Sequence, residues 1–252
     1  MNKVTEAALE KEFVVQLRHH LQGWKQKVLV DFSKENFEKE LIALEGDPVY
    51  PKFHLATPDY VNIRLMGRMS ISIGRRLGEL YDKIPRLLAA TRYQLTSVQV
   101  AENFQGLELD ITLRFIHLIS EDKAYIGQVV SNYLKKSPLS NGVGIEIRYN
   151  FNPNDSSRLR KDVSMAEHLL AEKMLPVYLI FSAISPRDEA IARLTRAGWQ
   201  FLVGQKALDF ASELLGLDIS SILDRPTVSN EIKTEVDSLM EAIKSSYAFK
   251  QF

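Results

Sequence analysis

GLELDITLRF, residues 106–115, and GVGIEIRYNF, residues 142–151, are the two segments whose reading decides the fold. Both alternate polar and apolar residues with a period of two, the repeat of an extended strand whose successive side chains point to opposite faces. In the first, Glu108, Asp110, Thr112 and Arg114 share one face and Leu107, Leu109, Ile111 and Leu113 the other. In the second, Glu146, Arg148 and Asn150 stand against Ile145, Ile147, Tyr149 and Phe151. Pairing of these strands brings Asp110 and Glu146 to one point, with Arg148 further along the same face. Two carboxylates and a cation on adjacent strands are the parts of a divalent-metal site for phosphodiester chemistry. The same alternation also describes an antiparallel pair with one solvated face, where facing charges contribute only about 0.2–1 kcal/mol.

Beyond these segments the pattern becomes a regular alternation of helix and strand. The loop NPNDSS offers Asp155 or Ser156 as N-cap for a helix to about Met174, after which Pro176 opens the buried strand PVYLIFS. Ser185, Pro186 and Asp188 start the helix SPRDEAIARLTRAG, which ends at Gly198; WQFLVG, residues 199–204, is a further buried strand. A helix over 205–215 closes at Gly216, and a last one runs from about Ser229 to Ala248. Buried strands linked by single helices are parallel, so the expected fold is α/β, a mixed sheet flanked by helices. Ahead of it, helices are expected over 5–22 closing near Gly23, over 33–45 closing near Gly46, and over 70–95. Between the last two lies GDPVYPKFHLATPDY, a loop broken by three prolines. The expected organisation is a helical N-terminal region, residues 1–60, packed on a core of residues 61–252.

Composition narrows the chemistry. With 252 residues, 45% of them apolar, the chain can bury a large core. The opening MNKVTEAALEKEF reads as a charged amphipathic helix rather than a signal peptide, and no apolar run is long enough for a bilayer, so a cytoplasmic protein without a membrane partner is expected. The absence of cysteine excludes thiol catalysis and thiolate metal sites, and five scattered histidines, including the pair His19 and His20, have no zinc spacing. Any metal is therefore held by oxygen, which means magnesium, manganese or calcium. No P-loop, dinucleotide-binding glycine motif, HExxH or GxSxG is present. The 32 basic and 32 acidic residues balance, but they are segregated. Residues 31–50 are acid-rich, whereas Arg64, Arg68, Arg75 and Arg76, and again Arg158, Arg160 and Lys161, form basic groups expected to contact phosphates.

Helix 70–95, a strand bearing Asp110, a strand bearing Glu146-Ile147-Arg148, a helix and a buried strand follow one another in an order that resembles the core of the PD-(D/E)XK nucleases. The segments IGRRLGELYDKIPRLL, GIEIRYNFNPNDSSRLRKD and PVYLIFSAISPRDEAIARLTRAGW are similar to those of type II restriction endonucleases, most nearly the ApaLI-like group. The resemblance covers roughly residues 60–250 and implies a restriction-endonuclease-like core. It further implies a Mg2+-dependent type II restriction endonuclease that hydrolyses double-stranded DNA at a short palindromic site as a homodimer. Carried over by position, Asp110 and Glu146 become the catalytic acids and metal ligands, with the Ile147 carbonyl as a further ligand. Arg148 stands where the family places lysine, and no proline precedes Asp110. A guanidinium stays protonated, so Arg148 can stabilise charge but not take a proton from water; a DNA-binding protein that does not cut is the alternative. Glu79 is the candidate auxiliary acid, Glu108 a candidate second ligand, and Asn150 and Asn152 border the site.

Overall fold

The computed structural model describes residues 3–149, 156–184 and 188–251. Its helices and strands are, in chain order, α1 (Lys3–Asp31), α2 (Lys34–Glu45), α3 (Pro58–Tyr93), α4 (Ser97–Val100), β1 (Asn103–Phe104), β2 (Leu107–Glu108), β3 (Ile111–Arg114), α5 (Ser120–Leu134), β4 (Gly142–Arg148), α6 (Ser156–Ala171), β5 (Met174–Ile180), α7 (Asp188–Ala197), β6 (Gln200–Val203), α8 (Gln205–Leu215), α9 (Ile219–Leu223) and α10 (Pro226–Lys244).

The sheet has the order β3-β4-β5-β6; β3 runs antiparallel to β4, and β4, β5 and β6 are parallel. This is the mixed α/β sheet expected from alternation followed by strand-helix repeats. Pro176 lies within β5 rather than at its start. Ile180 turns its carbonyl toward β6, where it accepts from Gly204 N–H at 2.8 Å. Pro176, an even number of residues away, faces the same side. Pairing with β6 begins only at Val177, so the missing N–H forfeits no ladder bond there. One face of the sheet carries α6 and α7, whose Met165, Ala166, Leu169, Ala190 and Leu194 share a core with Tyr178, Ile180 and Trp199. α8 packs on β6 and on α5. The sequence reading assigned nothing to α5, although its acidic first turn, Glu121 and Asp122, and its buried Ile126, Val129 and Val130 carry the start signal and spacing of an amphipathic helix.

Two N-terminal expectations are corrected. α1 continues through Gly23 to Asp31; one interior glycine costs a helix only about 1 kcal/mol. α3 starts at Pro58 rather than near 70. Thr57 caps it, its Oγ1 accepting from Tyr60 N–H at 3.3 Å, with proline next, where no N–H is needed. TPD therefore starts the helix and does not belong to the loop. Gly46 does end α2, its N–H donating to the Ile42 carbonyl while Asp47 N–H donates to that of Leu44.

The chain divides into two compact units that are discontinuous in sequence, whereas the sequence reading separated 1–60 from 61–252. One comprises Met1–Phe13 and Gly78–Ile222 and holds the sheet; the other comprises Val14–Leu77 and Leu223–Phe252. The second unit is helical around Phe32, Phe37, Leu44, Val61, Leu65, Leu239 and Ile243. No helix among the described residues is long and apolar enough to cross a membrane.

Candidate active site

The site grows from a break in the segment 106–115. Gln105 and Gly106, at φ 53° and 87°, fold β1 onto β2 as a two-residue hairpin, a turn that needs positive φ at both positions. Leu109 N–H then donates to the Glu102 carbonyl. The strict alternation expected through this segment ends here: Leu109 joins Met165 and Leu169 in the α6 core, and Asp110 is set at the head of β3. Ile111 pairs with Ile145; continued by one residue, that register sets Asp110 against Glu146, the convergence expected from sequence.

The polar face is not solvated. Asp110 is 8% exposed and Glu146 6%, and Thr112 is fully buried. α6 covers this face: an added Cβ on Gly144 would come within 2.5 Å of Leu169 Cδ2. The row continues from Glu146 to Tyr178 on β5 and Phe201 on β6, whose rings stack at 4.9 Å. Tyr178 hydroxyl donates to Asp162 Oδ2 at 3.0 Å, and Trp199 Nε1 donates to the Asp162 carbonyl at 2.7 Å.

Arg148 closes the cluster. Its Nη1 donates to Asp110 Oδ2 at 3.2 Å and to the Ile147 carbonyl at 2.6 Å, and its Nη2 donates to Glu146 Oε1. Ile147 N–H donates to Asp110 Oδ2 at 2.8 Å. Burial pushes the Glu146 carboxyl well above its ordinary range, and Asp110 adds to the rise while Arg148 opposes it. Burial also raises Asp162, against Arg148 and the Tyr178 hydroxyl. On Arg148 itself burial acts downward, but the neighbouring anions, Glu146 foremost, outweigh it and hold the guanidinium charged.

Sequence reasoning missed two residues here. Arg86 of α3 bridges Glu108 and Asp110, donating to Asp110 Oδ1 at 3.1 Å; it follows Glu79 by about two turns of one helix. Asp162 passed unnoticed because it reads as one more charge in the run RLRKD. Glu146, Arg148, Ser157, Arg158, Lys161 and Asp162 line a cavity of about 320 Å³. Arg158 and Lys161 thus stand beside the acids, whereas Arg160 is exposed on α6 and is not in the lining. Arg114 pairs with Glu102 and Glu172. Arg64 and Arg68 belong to the other unit, where both pair with Glu40. The side chains of Arg75, Arg76 and Glu79, and the whole of Asn150 and Asn152, lie outside the described residues.

Among the described residues no three carboxylates or imidazoles converge to hold a metal. Two carboxylates and one carbonyl do share a single cation, the Arg148 guanidinium. That oxygen set fits magnesium, which takes one or two carboxylates and completes its shell with water and phosphate oxygens. Comparison with family models, curated proteins and solved structures gives no match.

Proposed function

We propose that this chain is a magnesium-dependent, site-specific endodeoxyribonuclease of the restriction type, acting as a homodimer on a palindromic duplex and built on a restriction-endonuclease-like core. The observation that carries this reading is the convergence of Asp110, Glu146 and the Ile147 carbonyl on one cation beside a cavity with Arg158 and Lys161 in its wall. Asp110, Glu146 and the Ile147 carbonyl would hold Mg2+, or Mn2+ in its place. The ion would supply Lewis-acid stabilisation to the attacked phosphate. Arg86 fixes Asp110 and Glu108 from the α3 side. Arg158 and Lys161 hold substrate phosphates, and Arg148 supplies positive charge where negative charge develops. Two-fold symmetry would give each strand of a palindrome its own copy of the site.

A second reading, a DNA-binding protein that does not cut, is favoured by one observation. Both carboxylates are already bonded to a guanidinium that stays charged. Incubation of plasmid DNA with Mg2+ and mapping of the products separates the two. Discrete fragments, lost with Asp110→Ala, support cleavage; specific duplex binding without fragments in Mg2+ or Mn2+ supports the binding protein. Absence of both would end either reading.

A further inference from the structure

A divalent ion on Asp110, Glu146 and the Ile147 carbonyl needs the oxygens that Arg148 now occupies. Two cations cannot share that seat, because their mutual repulsion in a poorly solvated site is large. The guanidinium must therefore move, and it must move to an anion, since it remains charged at every accessible pH. Among the described residues its present seat is also incomplete: Arg148 Nε is buried without a hydrogen-bond partner.

The neighbouring anions differ in their fitness to receive it. Glu108 is taken by Arg86 and is largely exposed. Asp162 lines the same cavity as Arg148, is 6% exposed, and is held in place, its side chain by the Tyr178 hydroxyl and its backbone by Trp199. Arg158, four residues earlier on α6, also acts on that carboxylate, but it is exposed and can turn to solvent or to a phosphate.

From this arrangement we infer that Asp162 is a positioning residue, the second seat that receives the Arg148 guanidinium when a divalent cation takes Asp110 and Glu146. The inference rests on the metal-dependent reading proposed above. Asp162 acts through Arg148 and touches neither metal nor substrate, so its contribution to metal affinity exists only while Arg148 is present.

Mn2+ binding to the full chain without DNA, followed by calorimetric titration, tests this. Asp162→Asn weakens Mn2+ binding by about tenfold, the scale of a coupling between contacting charged groups. Asp162→Glu, which keeps the charge, restores most of the affinity. Arg148→Gln binds Mn2+ more tightly than the parent chain, and adding Asp162→Asn to it changes nothing further. Tyr178→Phe, which frees the Asp162 carboxylate while leaving every charge in place, weakens binding in the same direction and covers the case in which an Arg148 variant does not fold. An unchanged affinity in Asp162→Asn overturns the inference, as does an equal loss with and without Arg148, since Asp162 would then act on the ion directly. If the parent chain and every variant fail to bind Mn2+, the metal-dependent reading falls and takes the inference with it.

Discussion

Arg148 and Arg68 each sit against carboxylate oxygens, in different units of the chain, and the two clusters behave as opposites. Arg68 binds Glu40 bidentately with 45% of its side chain exposed. Arg148 binds Asp110 and Glu146 with 15% exposed, and Glu146 with 8%. Their acids shift in opposite directions: the hydrogen bond from Arg68 lowers the Glu40 pKa against burial, whereas burial raises Glu146 against Arg148. Identical functional groups thus make a surface tie in one place and a buried, desolvated cluster in the other. Desolvation, and not the number of ion pairs, separates them.

The largest expected effect lies in the buried cluster. Arg148→Ala leaves Asp110 and Glu146 buried without their cation and loses about 3–5 kcal/mol in urea unfolding near neutral pH. A loss below about 1 kcal/mol would put the cluster in the same class as an exposed pair. In a cleavage assay the same variant falls by about two to three orders of magnitude, the scale of losing one transition-state donor. Arg148→Lys retains or raises the rate, because lysine supplies the charge in its protonated form and, unlike arginine, can take a proton from water in its neutral form. Equal rates for the parent, alanine and lysine chains would remove Arg148 from the chemistry.

Next in size is a pH effect of opposite sign at the two acids, measured as urea midpoint against pH without metal. Glu40 is lowered from its ordinary 4.5, so its contribution is present above that value and is lost as pH falls through the folded pKa. Glu146 is raised, so its contribution is present below 4.5 and is lost as pH rises through the folded pKa. Glu40→Gln is accordingly most damaging at neutral pH, while Glu146→Gln compares best with the parent there. Parallel profiles would contradict the contrast in burial.

The smallest effects belong to the exposed arginines. Arg68→Ala costs no more than about 1 kcal/mol. Replacing Arg158 lowers the salt slope of DNA binding by about one, the signature of a lost phosphate contact. Arg68, already engaged by Glu40, leaves the slope unchanged; a reduction at Arg68 and none at Arg158 would move the nucleic-acid surface to the helical unit.

Sequence by itself determined the mixed sheet, the antiparallel pairing that sets Asp110 against Glu146, and α8 with its terminal Gly216. These follow from period-two alternation, from apolar runs joined by helices, and from a glycine at φ 72°, all local signals. TPD at the head of α3 and the stripe of α5 were equally local, and were missed because the prolines and a long inter-strand connection read more readily as loop. Only the tertiary structure decided that the polar face is buried, since whether α6 covers it depends on Leu169 reaching Gly144 across the fold. It alone brought Arg86 and Asp162 to the acids, from positions 24 residues before Asp110 and 16 before Tyr178. It also committed Arg64 and Arg68 to Glu40, 28 residues before Arg68, which a basic stretch without an acid cannot announce. Period and capping are written in neighbouring residues, whereas desolvation and charge pairing belong to whatever the finished fold places alongside.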